Sequence, residues 1–342
     1  MFAAAAAVAA TIAAFSLPPG SDTTLVVPKG LNLDVANYSG EVLIDGWSRN
    51  ALRIRTDHYE QDKVLVRPVD KGLLIKAYSK HDEERGAVIR LTVPEWMNLD
   101  ISGIHTDVVI AGTEGQVRVE TVHGDVLVKG GRRKINLATV NQDICLSDAI
   151  GTIAAETVNG DAYLWRIDSD SVSVSTVNGL IAYEGTVHDK GVYQLTSHNG
   201  DISMGMPANA SASVAISTFS GDFESSFPVT LTEKRAGNRF QFCVKTCSAR
   251  VELESFQGTI QIYKSGPTPS PRIQKIDKLS TKIYAKYLGK PVGRIERARR
   301  SEEAMEKSAK FEKHEKYGKH WSDDEKDPDE DLPDAGEDDD LP

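Results

Sequence analysis

The sequence predicts an all-β protein: a parallel β-solenoid (β-helix) of about eight coils, with an N-terminal β cap and a helical, then disordered, C-terminal tail. Three observations carry this. First, a seven-residue signature recurs as Glu120-Thr-Val-His-Gly-Asp-Val126, Ala138-Thr-Val-Asn-Gln-Asp-Ile144, Glu156-Thr-Val-Asn-Gly-Asp-Ala162 and Ser175-Thr-Val-Asn-Gly-Leu-Ile181, with looser copies around His105, Asn199, Ser220 and Gln257. With the fourth residue of each copy as anchor, the spacings are 18, 18, 18, 19, 21, 21 and 37. A steady period of this length marks stacked repeats. Second, residues six and four before each anchor, and three and five after it, are apolar; of those 32 positions only Ser225 is polar. Alternation with period two is the mark of a strand with one buried face. Third, no helical pattern fits between the strands to serve as the crossover that other parallel sheets require. Two short strands per coil, joined at an Asn-Gly corner that tolerates left-handed backbone, bury their apolar faces only when coils stack.

Taken in chain order, residues 1–20 open with an apolar run from Phe2 to Leu17. It is short for a membrane span, which needs roughly 20 residues. It reads as a signal peptide, with Ala14-Phe15-Ser16 as a cleavage option, or as an N-terminal anchor, although no basic region precedes it. Residues 22–96 contain strand-like runs at Leu25–Pro28, Glu41–Asp45, Ala51–Arg55, Lys63–Arg67, Gly72–Ala77 and Ala87–Pro94, read as a β region capping the open edge of the solenoid at 97–264. The long gap before Gln257 holds Phe227–Thr232 and Arg239–Val244, a strand pair or a degenerate further coil. Pro267-Thr-Pro-Ser-Pro271 is a linker. Residues 267–321 are basic and partly helical: Ile273, Ile276, Leu279, Ile283 and Tyr287 recur at helical spacing, and a second, solvated helix is expected from Ser301 to Tyr317. Residues 322–342 lack core-forming side chains and are expected to be disordered.

Charge narrows the range of functions. The chain of 342 residues carries −10 overall, but Arg272–Trp321 is +8, the tail from Ser322 is −11, and residues 1–271 are −7. A nucleic-acid binder carries its basic excess on the folded domain. Here that part is acidic, so nucleic acid is not an expected partner. The oligomeric state is not legible from composition.

At this point the chain resembles the bacterial putative-adhesin β-solenoid family. The resemblance rests on the repeated Thr-Val-Asn-Gly-Asp-Ile pattern, on Gly40-Glu-Val-Leu-Ile-Asp-Gly-Trp47, on Val88-Ile-Arg-Leu-Thr-Val-Pro94 and on Glu254-Ser-Phe-Gln-Gly-Thr-Ile-Gln-Ile262, and covers about residues 30–264. It implies an exported, periplasmic or cell-envelope protein, in some members a stress sensor, and supplies no catalytic residue and no cofactor. Cys243-Val-Lys-Thr-Cys247 stands where relatives tend to have a Gly-rich turn, and the charged tail lies outside the resemblance.

Four groups of residues are candidates for function. Between the two post-corner core positions, Val109, Leu127, Cys145, Tyr163 and Ala182 should face outward, giving five coils an apolar outer flank. Such a flank is either a partner-binding face or is covered by the N-terminal strands or the Ile273–Tyr287 helix. Asp107, Asp125, Asp143 and Asp161 should stack about 4.8 Å apart. They could hold a cation ladder, or each could hydrogen-bond its turn. His105 and His123 occupy adjacent coils and could share a metal, although corner chemistry explains them equally. Cys243 and Cys247 could pair in an exported protein if a turn brings them together, leaving Cys145 free. Motifs of nucleophilic, nucleotide-binding and zinc-protease sites are missing. The expectation is therefore a non-catalytic scaffold binding an envelope polymer or protein partner. One alternative is a stress-regulatory protein whose residues 272–321 contact anionic membrane or wall polymer. Another is a polysaccharide-active β-helix enzyme using one Asp pair.

Overall fold

The alternation around each anchor folds into two facing parallel sheets joined at a corner, as a computed structural model of the chain shows. It describes residues 13–60, 62–78, 86–229, 231–235 and 238–289. Most of the 1–20 segment, the expected Ser301–Tyr317 helix and the acidic tail lie outside the described residues. The fold falls within one compact unit, Met1–Pro291.

The strands run β1 (Phe15–Leu17), β2 (Asp22–Val26), β3 (Asn32–Trp47), β4 (Ala51–Asp57), β5 (Lys63–Val69), β6 (Gly72–Tyr78), β7 (Ala87–Pro94) and β8 (Asn98–Thr113). Repeating pairs follow: β9 (Val117–Glu120) with β10 (Val126–Gly130), β11 (Arg132–Ala138) with β12 (Ile144–Ser147), and β13 (Ile150–Glu156) with β14 (Ala162–Ile167). Next come β15 (Ser171–Asn178) with β16 (Ile181–Gly185), β17 (Val192–Asn199) with β18 (Ile202–Pro207), and β19 (Ala212–Ser220) with β20 (Phe223–Ser225). The hairpin β21 (Leu231–Arg235) and β22 (Asn238–Val244) precedes β23 (Ala249–Gln257) and β24 (Ile260–Ser265), and the chain turns into α1 (Pro271–Gly289).

Pairing between coils is parallel and nearly gap-free, so the apolar columns read from sequence stack: Ile135 on Val117 and Ile153 on one sheet, Val126 on Val108 and Ile144 on the other. These side chains, with their counterparts in every coil, make one continuous core of almost fully buried residues.

The order of coils departs from the order of the sequence at both ends. β23 pairs with β17 on one side and β19 on the other, and β24 likewise lies between β18 and β20. The last coil of the chain is therefore inserted between the two that precede it. The segment with the 37-residue spacing forms the outer end, where β22 closes the edge of β19 in antiparallel register and β21 pairs onto β22. At the other end β3 pairs with β8 through both its halves, Leu33 on Leu99 and Val42 on Val108. Asn32–Trp47 is thus a coil in its own right, with its corner at Tyr38-Ser39. β6 and β7 pair in parallel with β3 and add a further level. The antiparallel strands that cap this end are β5 and β1 on one sheet and β4 and β2 on the other. Residues 22–96 are therefore not all cap, contrary to the expectation from sequence: the corner at Ser39 lacks the Thr-Val-Asn-Gly signature, and Tyr38-Ser-Gly40 instead parallels Phe219-Ser-Gly221. The cleavage option at Ser16 falls within β1, whose Phe15 and Ser16 pair with Val66 and Leu65.

Candidate functional site

The corner is where the repeat places its polar residues, and each forms a ladder. Two residues before the anchor, alternation turns the side chain inward, and there the chain has Thr or Ser. Thr121, Thr139, Thr157, Thr176, Ser197 and Ser255 donate at 3.0–3.1 Å to the backbone carbonyl at the corner of the neighbouring coil. The anchors form an amide ladder: Asn159 donates to Asn141, Asn178 to Asn159 and Asn199 to Asn178, at 2.8–2.9 Å. His123 ends that ladder against Asn141, and His105 stacks on His123 with ring centroids 4.8 Å apart.

The aspartates are used in the same way. Asp107, Asp125, Asp143 and Asp161 each accept the backbone N–H of the next coil, at 2.8–3.3 Å, from Asp125, Asp143, Asp161 and Leu180. Among the described residues, no group of three or more His, Cys, Asp and Glu side chains is placed to hold a metal ion. Stacked carboxylates would repel. A backbone donor at each one offsets that repulsion and supplies a charge-assisted bond worth roughly 1.5–3 kcal/mol.

The apolar outer flank is not exposed. Val109 and Ala182 are no more than 1% accessible, and Leu127, Cys145 and Tyr163 at most 8%. This corrects the reading of those five residues as a partner-binding face. α1 lies along the column. Ser270 caps the helix, Pro271 opens it, and the Ser270 N–H reaches Glu184 in β16 at 2.8 Å. Further along, Asp277 accepts the Trp165 indole N–H at 3.0 Å and pairs with Arg166. Ser280 is bonded to Cys145, and Tyr287 lies beside the carboxylates of Glu41 and Asp107. Nineteen residues of helix span about 28 Å. Five steps between coils, from Glu184 in β16 back to β3, cover about 24 Å, the length of the helix from Pro271 to Tyr287. The inner edge of α1 is Ile273, Asp277, Ser280, Tyr284 and Tyr287, spaced four, three, four and three. The predicted stripe of Ile276, Leu279 and Ile283 flanks that edge, partly buried. Burial pushes the Cys145 thiol well above its usual range, which makes it unreactive.

Cys243 and Cys247 are joined as a disulfide where β22 ends, with Cα atoms 5.4 Å apart. Left-handed backbone at Lys245 and Cys247, φ 56° and 57°, supplies the turn that brings them together.

One exposed feature was not singled out from the sequence. The residue just before each anchor, the Val of Thr-Val-Asn-Gly, faces solvent. Tyr38, Ile104, Val140, Val177, Phe219 and Phe256 in this column are 36–72% accessible, and they are half of the twelve large apolar residues that stand exposed among the described residues. Because β23 is inserted, His198, Phe256 and Phe219 fall in consecutive coils and stack, with centroids 4.8 and 4.7 Å apart. The signal was present: an apolar residue repeated at a position that the alternation turns outward.

Ladders that brace coil against coil, with apolar columns inside, define the class: a β-solenoid repeat protein whose distinguishing polar residues are structural. More narrowly, the chain belongs to the Toastrack DUF4097 family, whose model matches residues 87–263, slightly more than half of it. No curated protein matches it. Among solved structures it is similar to a putative cell adhesion protein from Clostridium sporogenes ATCC 15579, at 12% identity and a TM-score of 0.24, over 72% of this chain and 100% of that one.

Proposed function

We propose that the chain is a non-catalytic, adhesin-like scaffold, exported to the cell envelope, where its solenoid binds an envelope polymer or a protein partner. The observation that carries this reading is the use of the corner ladders: the repeated Thr, Asn and Asp side chains bond the neighbouring coil, so they hold coil to coil rather than form a reaction site. A polysaccharide-active enzyme would need one acid and one base set apart from the ladder. Asp168 accepts from both His188, at 2.6 Å, and Thr186, at 3.1 Å. The Thr186 hydroxyl also lies 3.1 Å from His188 Nε2, so a single ring nitrogen meets both partners, whereas a nucleophilic relay uses the two ring nitrogens on opposite sides of the imidazole. Among the described residues, no helix is long and apolar enough to cross a membrane. The test is co-sedimentation of the full-length protein with isolated envelope polymers, with released sugar monitored in parallel. Saturable binding without sugar release supports the scaffold; sugar release that persists on purification refutes it.

A second reading has its own observation. On α1 the cations Arg272, Lys275, Lys278 and Lys282 are exposed on the side opposite Ile273, Ser280 and Tyr287, while the helix's acid, Asp277, turns inward. This stripe would contact an anionic membrane or wall polymer. Binding to anionic vesicles that weakens with salt, and is lost in the fourfold Gln variant of these cations, would favour it.

A further inference from the structure

The exposed column at the corner runs the length of the solenoid with one apolar side chain per coil, except where His198 takes the place and stacks on Phe256. Val122 and Val158 fill the positions between Ile104, Val140 and Val177, so the apolar strip is unbroken from Tyr38 to Val177, and Phe256 and Phe219 continue it beyond His198. Apolar strips of this extent on a soluble protein mark contacts. Three features of the strip define its occupant. Its repeat is that of stacked strands, about 4.8 Å. Its rings stack face to face, Phe219 on Phe256 with 2° between planes, so they offer edges outward rather than the flat faces on which a sugar stacks. Its two flanks differ: two residues before the strip stand Glu120, Glu156 and Glu254, and on the other side the anchors His123, Asn159 and Gln257 of the same three coils.

We propose that this column is a self-association seam, and that its partner is the same column of a second copy of the chain, packed in parallel about a two-fold axis along the solenoid. In that arrangement every coil meets its own twin, Val against Val, Phe against Phe and one imidazole, His198, against its copy, with matched spacing throughout. The rotation also exchanges the flanks. Glu120 then faces the twin's His123, Glu156 the twin's Asn159 and Glu254 the twin's Gln257, so each acid meets a side chain that can donate. The antiparallel alternative sets the Glu flank against itself, which like charges oppose. The column exposes on the order of 500 Å² of apolar surface per copy. Two copies with their polar flanks reach about 1,000 Å² in total, the lower limit of a specific interface, so the pair is weak and concentration dependent.

Sedimentation equilibrium of the full-length protein tests this between about 1 and 200 µM, a range that brackets a weak interface. The expected result is a monomer–dimer equilibrium that the double variant Val140→Asp/Val177→Asp weakens by tenfold or more, with an unchanged circular dichroism spectrum and melting temperature. Both positions are at least 36% exposed, so the substitutions spare the core. Orientation is tested with Val140→Cys under mild oxidation: the parallel seam brings the two thiols together and gives a covalent dimer, whereas Thr152→Cys, exposed on the open sheet face of the next coil, stays monomeric. A protein that is monomeric at 200 µM overturns the proposal. So does a dimer indifferent to the Asp substitutions, or one in which Val140→Cys fails to cross-link.

Discussion

Replacing Asp277 by Ala is expected to release α1 and open the Cys145 thiol while the solenoid stays folded. Asp277 accepts the indole N–H of Trp165, which is 1% accessible, and pairs with Arg166 at 3.1 Å. Without that acceptor the buried indole donor is unsatisfied, a cost of roughly 1–3 kcal/mol. The Arg166 pair adds little, because both side chains are a third or more exposed and Arg166 keeps Asp148. A loss of about 2 kcal/mol from helix docking raises the open population about 30-fold. The readout is direct, since Cys145 is the free cysteine and lies beneath Ser280. In excess chromogenic disulfide reagent at pH 8, the labelling rate should rise about 30-fold. The main thermal transition should shift by only a few degrees. A rate within twofold of the original, or an original thiol that already labels as fast as a free one, would refute the argument that α1 closes this flank.

Other outcomes follow from the same geometry. Leu253→Ala, in the inserted coil and 1% accessible, should cost 2–5 kcal/mol in urea unfolding, as much as Leu195→Ala in the coil it pairs with; a fraction of that cost would place β23 at a fraying end. Thr157→Val keeps the shape but removes the donor to Gln142, and about 1–2 kcal/mol of stability should go with it; no loss would mean that the hydroxyl ladder is ornamental. At Gly46 an added Cβ would stand 1.8 Å from the Gly112 carbonyl, so Gly46→Ala should destabilise by about 1–3 kcal/mol or more through forced separation of β3 and β8, as thermal unfolding can check. Finally, the Arg166 guanidinium beside Asp148 holds that carboxyl below its usual value of 3.8. A depressed carboxylate contributes stability that is present above the unfolded value and lost as pH falls through the folded one. The Asp148→Asn variant should therefore lose less stability than the original protein as pH drops from about 4 to 2, and equal acid sensitivity would contradict the pairing.

How much was legible depends on which forces act within a coil and which act between coils. Alternation fixes which face of a strand is buried, so Ile135, Leu137, Ile144 and Leu146 were placed correctly from pattern alone. The same alternation, carried up to the anchor, turns Thr139 inward and Val140 outward, a consequence that the corner motif conceals. Which coil touches which is a different matter, because every coil carries the same columns and any two could stack. Nothing local to Gln257 says that Asn199 and Ser220 are its neighbours; only the 37-residue spacing hinted at an excursion. The coil at Ser39 was hidden for the same reason, lying 66 residues from its partner His105 with one loose copy of the motif. On α1 the sequence stripe was offset by one residue, since Asp277 and Ser280 look like solvent residues until Trp165 and Cys145 are seen beneath them.

The claim of an envelope-associated scaffold is tested most directly by fractionating cells that express a C-terminally tagged full-length chain and sequencing its mature N-terminus by mass spectrometry. Because β1 pairs with β5 and the Leu17 carbonyl bonds the His58 imidazole, the account predicts an extracytoplasmic protein that retains Phe15 and Ser16. A protein found intact in the cytosol would contradict the envelope role, and a mature start at Leu17 would contradict the place of β1 in the fold.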